Sequence, residues 1–150
     1  LRGRNLSREE AYNLFININK IPGLGPAYFT KLLYFFSANR NMYIMDQWTT
    51  KPVLLLTRKH IIRHTKDGPT DKNTGKNYEL FCRVIDDLRQ HIGAESGDEV
   101  EQRLFSVGSI SRQPRGEFRQ FIYDRWNSRD RLPRYSQRLV DQLSLNNQND

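Results

Sequence analysis

The chain has 150 residues, with 24 Lys and Arg against 17 Asp and Glu and a single cysteine. That length fits one domain and excludes two comfortable cores; 37% hydrophobic and 11% aromatic residues suffice to pack one core, which excludes wholesale disorder. One cysteine, Cys82, excludes an internal disulfide framework and a cysteine-ligated cluster, and no run approaches the roughly 18 apolar residues of a membrane helix. No secretory signal follows Leu1, so a reducing, cytoplasmic compartment is expected. The net charge of +7 is concentrated in arginine: from Arg112 to Arg138, eight Arg stand against three acids. The planar guanidinium fork suits phosphate, so a polyanion is the expected partner beside the plainer alternative of a basic soluble surface.

Helical periodicity dominates in chain order. Ser7-Arg-Glu-Glu10 reads as a capping box, opening a helix with Ala11, Leu14, Phe15 and Ile18 on one face. Ile21-Pro-Gly-Leu-Gly25 breaks it, and Pro26 starts a second helix with Phe29, Leu32, Leu33 and Phe36 as its buried face. Met42 to Met45 is a short apolar segment leading to Asp46. A third helix is expected from near Pro52, because proline belongs in a first turn. The polar stretch 67–75 reads as a loop. Leu80, Phe81, Val84, Ile85, Leu88 and Ile92 form an amphipathic helix closed by Gly93, and a further helix covers about 98–107. A basic loop, 108–116, precedes a helix bearing Phe118, Phe121, Ile122 and Trp126; a last one carries Tyr135, Leu139, Val140 and Leu143. No alternating strand pattern occurs, so the class is all-α. One domain over 1–145 with a polar tail at 146–150 is expected.

Two features bear on chemistry. The Gly23-Leu24-Gly25 turn lies between amphipathic helices and leaves amides at the start of the second, where a phosphate would bind. A plain interhelical turn would use the same residues. Downstream, Tyr43-Ile-Met-Asp46-Gln-Trp48 ends an apolar segment on one carboxylate beside an aromatic; Asp46 could equally be a helix cap. His60 and His64 stand at i, i+4, but the surrounding Arg58, Lys59, Arg63 and Lys66 point to a solvated basic face or phosphate contacts rather than a metal. No metal or other cofactor is expected. His91 suits a helix C-terminus, and Cys82 suits the core.

The hairpin 21–26, followed at this separation by Asp46, resembles the helix-hairpin-helix superfamily of DNA glycosylases. The strings Pro26-Ala-Tyr-Phe-Thr-Lys-Leu-Leu-Tyr-Phe-Phe36, Met45-Asp-Gln-Trp-Thr49 and Val100-Glu-Gln-Arg-Leu-Phe-Ser-Val-Gly108 are similar to a bacterial branch related to 8-oxoguanine DNA glycosylases. The resemblance implies a glycosylase-like helical domain that flips a damaged or modified base out of double-stranded DNA and cleaves its N-glycosidic bond, acting as a monomer at the nucleoid. It implies Asp46 as the catalytic carboxylate. Bifunctional members place a lysine nucleophile where this chain has Ala27, and Lys31, one turn on, is the substitute candidate for an abasic-site lyase. An exposed helix lysine is its plainer reading. Gly23, Leu24 and Gly25, with Arg112, Arg115 and Arg119, are the expected DNA contacts, and Tyr28, Tyr43 and Trp48 the expected base pocket. A non-catalytic helix-hairpin-helix DNA-binding module is the alternative.

Overall fold

The computed structural model describes residues 6–18, 21–37, 40–105, 117–128 and 134–145. Among them the only extended pairing is one antiparallel bridge between His64 and Pro69, so the chain is all-α. No helix of the described residues is long and apolar enough to cross a membrane.

Helix α1 (Arg8–Asn13) opens on the expected capping box: the Ser7 hydroxyl accepts from the Glu10 amide and the Glu10 carboxylate accepts from the Ser7 amide. It widens into one π-helical turn, Leu14–Ile18. It buries Ala11 and also Tyr12, which the apolar stripe did not include. Helix α2 (Pro26–Phe36) starts at its proline and turns Pro26, Phe29, Thr30 and Leu33 inward. That i, i+3, i+4, i+7 stripe corrects the expected face: Leu32 and Phe36, on the other side, are 38% and 70% exposed.

Helix α3 (Gln47–Thr57) corrects a boundary, since it begins five residues before Pro52 and keeps that proline inside. Asp46 and Thr49 form a reciprocal cap at its start, and Thr49 to Leu54 are buried. Cap and burial offset the one ladder bond that a proline nitrogen cannot donate. Arg58, at φ 59°, closes the helix in the left-handed conformation.

Residues 58–74 form a loop rather than the helix that the His60/His64 spacing suggested. Buried Asn73 staples it, accepting the Arg63 amide at 2.8 Å and donating to the Arg63 carbonyl at 3.0 Å. Helix α4 (Gly75–His91) is the centre of the domain, packing on α1, α3, α5 (Gly97–Phe105) and α7 (Gln137–Leu145). Most of the amphipathic face holds: Leu80, Phe81, Val84 and Ile85 are buried and Leu88 partly so, but Ile92, the C-cap, is 39% exposed; Gly93 turns the chain at φ 61°. Helix α6 (Glu117–Ser128) packs on α3 through buried Ile122 and Trp126, while Phe121 faces outward. The basic loop and the tail at 146–150 lie outside the described residues, as do the side chains of Ile18 and Phe118.

Aromatic contacts tie α1, α2 and α4 together. The Tyr12 ring meets Phe29 edge-on at 4.9 Å and stacks on Tyr78 at 5.0 Å; Phe15 stacks on Phe29 at 5.2 Å. Such pairs add about 0.5–1.5 kcal/mol each beyond burial. This cluster joins α2 to α4 through Tyr12 of α1, and the segment that carries Asp46 bonds to both, Met45 to Thr30 and the Tyr43 carbonyl to the Tyr78 hydroxyl.

Candidate active site

Residues 44–46 belong to no helix or sheet, so their amides need other partners. Three helices supply them. The Ile44 amide donates to the Glu101 carboxylate of α5 at 2.7 Å, the Met45 amide to the Thr30 hydroxyl of α2 at 3.0 Å, and the Asp46 amide to the Thr49 hydroxyl of α3 at 3.2 Å. Each hydroxyl passes its own proton on, Thr30 to the Pro26 carbonyl and Thr49 to the Ile44 carbonyl, both at 2.6 Å. Three consecutive residues are thus pinned side by side, and Asp46 stands at their end.

The Asp46 carboxylate caps α3, accepting the amides of Trp48 at 2.8 Å and Thr49 at 3.1 Å. Among the described residues its hydrogen bonds all fall on Oδ1, so the cap leaves Oδ2 for other work. The side chain is only 7% exposed. Burial pushes its carboxyl above the ordinary value, against the two amides and the nearby positive charge of Lys31, which pull it down.

Lys31 is half-buried on α2, close enough for its charge to act on Asp46, with its ammonium 5.7 Å from the Tyr28 ring centroid. Tyr28 is 61% exposed, an open aromatic face beside the lysine. Trp48 is half-buried in the first turn of α3. Tyr43 requires a correction. It is 3% exposed, donates to Asp86 at 2.6 Å, lies under the Arg8 guanidinium at 5.5 Å and abuts Gly97 so closely that a Cβ there would overlap its hydroxyl. Its ring is spent on the junction of α1, α4 and α5 and cannot wall a pocket.

The hairpin is a tight turn in which the Leu24 amide donates to the Ile21 carbonyl at 3.0 Å. Pro22 and Gly23 occupy its centre, and Gly23 at φ 82° takes the left-handed position that a type II turn reserves for glycine. Gly25 differs. Its φ of −76° and ψ of 177° suit any residue, and a Cβ added there would meet nothing within 4 Å. The strain that calls for glycine at 23 is absent at 25, where the glycine is the N-cap of α2. The Gly25 and Ala27 amides have no partner among the described residues. Arg112 and Arg115 lie outside the described residues, and Arg119 sits on α6 with its side chain undescribed.

Two groups escaped the sequence reading. Glu101 had no signal beyond being an acid on an amphipathic helix, yet it is 5% exposed and held in the scaffold. His64 is enclosed rather than solvated. Its Nε2 lies 2.8 Å from the Thr50 hydroxyl, which donates to the Asp46 carbonyl at 2.6 Å, and its ring meets Trp126 edge-on at 4.9 Å. Since the Thr50 proton goes to that carbonyl, Nε2 is the protonated nitrogen. Burial, then the neighbouring His60 and Lys51 charges, push the imidazole down to about 3. Among the described residues no group of acids, His and Cys could hold a metal.

Residues 3–105, which span the hairpin, the pinned segment and α5, match the family model described as "Putative 8-oxoguanine DNA glycosylase OGG-like protein". The chain belongs to this family. No curated protein and no solved structure matches it. The family match covers every element that positions Asp46, Thr30, Thr49 and Glu101, and it stops at the end of α5. The arginine-rich segment lies beyond it.

Proposed function

We propose that this chain is a DNA glycosylase that excises an oxidised or otherwise modified base from double-stranded DNA. The observation that carries the reading is a buried carboxylate fixed at a helix start with one oxygen uncommitted, beside a lysine and one helix away from an open glycine hairpin. Cleaving an N-glycosidic bond leaves positive charge on the deoxyribose as the base departs with the bonding electrons. A carboxylate already fixed in a dry setting stabilises that charge without reorganising, and can orient the water that attacks C1′. The base must first leave the stack. The amides at Gly25 and Ala27 are suited to grip the backbone next to it, while Tyr28 and Trp48 offer aromatic faces for the extruded base.

Lys31 decides the product. If its amine attacks C1′, the base is displaced, a Schiff base forms and the strand is cut; otherwise water yields an abasic site. The test is a panel of duplexes, each with one modified base, assayed for abasic sites with and without alkali and for borohydride-trapped adducts. A trapped adduct that Lys31→Gln abolishes assigns the lyase; base release without an adduct assigns the hydrolase.

The cap itself favours a second reading, a DNA-binding module in which Asp46 only starts α3. Asp46→Asn separates the two, because asparagine caps a helix as well as aspartate and carries no charge.

A further inference from the structure

Glu101 is the one ionisable member of the scaffold that pins residues 44–46. Thr30 and Thr49 hold the next two amides with neutral hydroxyls, but the Ile44 amide is held by a carboxylic side chain almost wholly out of water. Its position is not adjustable: α5 is locked against the segment at Gly97, where only a glycine leaves room for the Tyr43 hydroxyl. The ionisable groups facing Glu101 are Asp46 from the pinned segment, Asp98 on its own helix, Tyr34 on α2 and Tyr78 on α4, each neutral or negative. Two buried acids that sense each other across two residues cannot both ionise cheaply.

We propose that Glu101 is a positioning residue for Asp46, gripping the Ile44 amide from α5 to aim the candidate carboxylate, and that of the two acids it is Glu101 that holds its proton more tightly. The division follows from surroundings. Asp46 receives two amides and the field of Lys31, all of which favour its anion, whereas Glu101 receives one amide against the charges of Asp46 and Asp98. Burial pushes Glu101 up to about 8. A neutral acid still accepts the Ile44 hydrogen bond, so the grip does not depend on ionisation. A site meant to place one negative charge beside a developing cation gains from this: the second acid gives structure without repelling the DNA phosphates.

This inference deepens the glycosylase reading and rests on it for its kinetic half only. The other half needs no substrate. Carboxyl 13C shifts of Glu101 are followed against pH in the wild type and in Asp46→Asn, whose asparagine keeps the α3 cap. Glu101 is expected to titrate near 8 in the wild type and at lower pH once the Asp46 charge is gone; identical midpoints overturn the pairing. On a duplex substrate, Glu101→Gln keeps the acceptor and retains most of the base-release rate, while Glu101→Ala loses the grip and slows kcat by on the order of tenfold to a hundredfold with KM unchanged. Glu101→Ala at the wild-type kcat overturns the positioning role. Should that variant fail to fold, Glu101→Gln decides alone: it keeps the acceptor for the Ile44 amide, so a tenfold or larger loss of kcat in it overturns the positioning role. If Asp46→Asn releases base as fast as the wild type, the glycosylase reading falls by itself and the titration still decides the pair.

Discussion

Thr30, in the middle of α2, accepts the amide hydrogen of Met45 at 3.0 Å while donating to the Pro26 carbonyl one turn back. One hydroxyl therefore joins the helix after the hairpin to the segment before Asp46. Thr30→Val keeps the shape but leaves the buried Met45 amide unmatched, which costs about 1–3 kcal/mol. Urea titration should show that loss in Thr30→Val and much less in Thr30→Ser, which keeps the hydroxyl. On a substrate duplex, base release should fall further in the valine variant than stability alone explains.

Asp46 carries two roles that separate by substitution. Asp46→Asn should fold with stability close to the wild type, yet release base slower by orders of magnitude because the charge facing the sugar is gone. Asp46→Ala should lose the cap as well, about 1 kcal/mol in thermal or chemical unfolding. An Asp46→Asn chain that works at full speed reduces Asp46 to a cap.

The two hairpin glycines should respond in opposite ways. Gly23→Val forces a β-branched residue to φ 82° and should destabilise the fold by roughly 1–2 kcal/mol. Gly25→Val sits in ordinary extended backbone with open space around it and loses only glycine's preference at the N-cap of α2, so it should cost less stability than Gly23→Val. DNA affinity is the readout there. It should fall for all sequences alike, and unchanged affinity would leave the hairpin a mere turn.

Stability should depend on pH through two buried groups of opposite sign. His64 is held neutral in the fold down to about 3 against an ordinary 6.5, so between these values the unfolded chain binds the extra proton. Stability then falls as the pH drops from 6.5 toward 3, by up to about 1.4 kcal/mol per pH unit, and His64→Gln should blunt that loss. Glu101 is raised, so between 4.5 and about 8 the folded chain binds the extra proton and stability falls as the pH rises. Melting curves of Glu101→Gln should pull ahead of the wild type between pH 5 and 8. Parallel curves would mean that Glu101 is ionised in the fold.

Arg112, Arg115 and Arg119 test whether the arginine-rich segment joins the interface. Replacing all three with glutamine should lower the slope of log affinity against log salt by about 0.9 for each DNA phosphate that the segment neutralises. An unchanged slope takes the segment off the DNA.

The sequence by itself determined what is local. Capping boxes act over three residues and apolar faces repeat over three or four, so the starts of α1 and α2, most of the buried face of α4 and the turn between α1 and α2 were legible from spacing. So was Asp46 as a helix cap, one of its two readings. Only the tertiary structure decided which apolar residues found partners. Leu32 and Phe36 repeat correctly but are exposed, Tyr43 is consumed by Asp86 and Gly97, and His64 bonds to Thr50. It also decided the start of α3, because a cap and a buried face outweigh one proline. The scaffold of Asp46 was invisible for the same reason: Met45 meets Thr30 across 15 positions and Ile44 meets Glu101 across 57. Burial and hydrogen bonding over such separations are fixed by the packing of whole helices, and no periodicity along the chain encodes them.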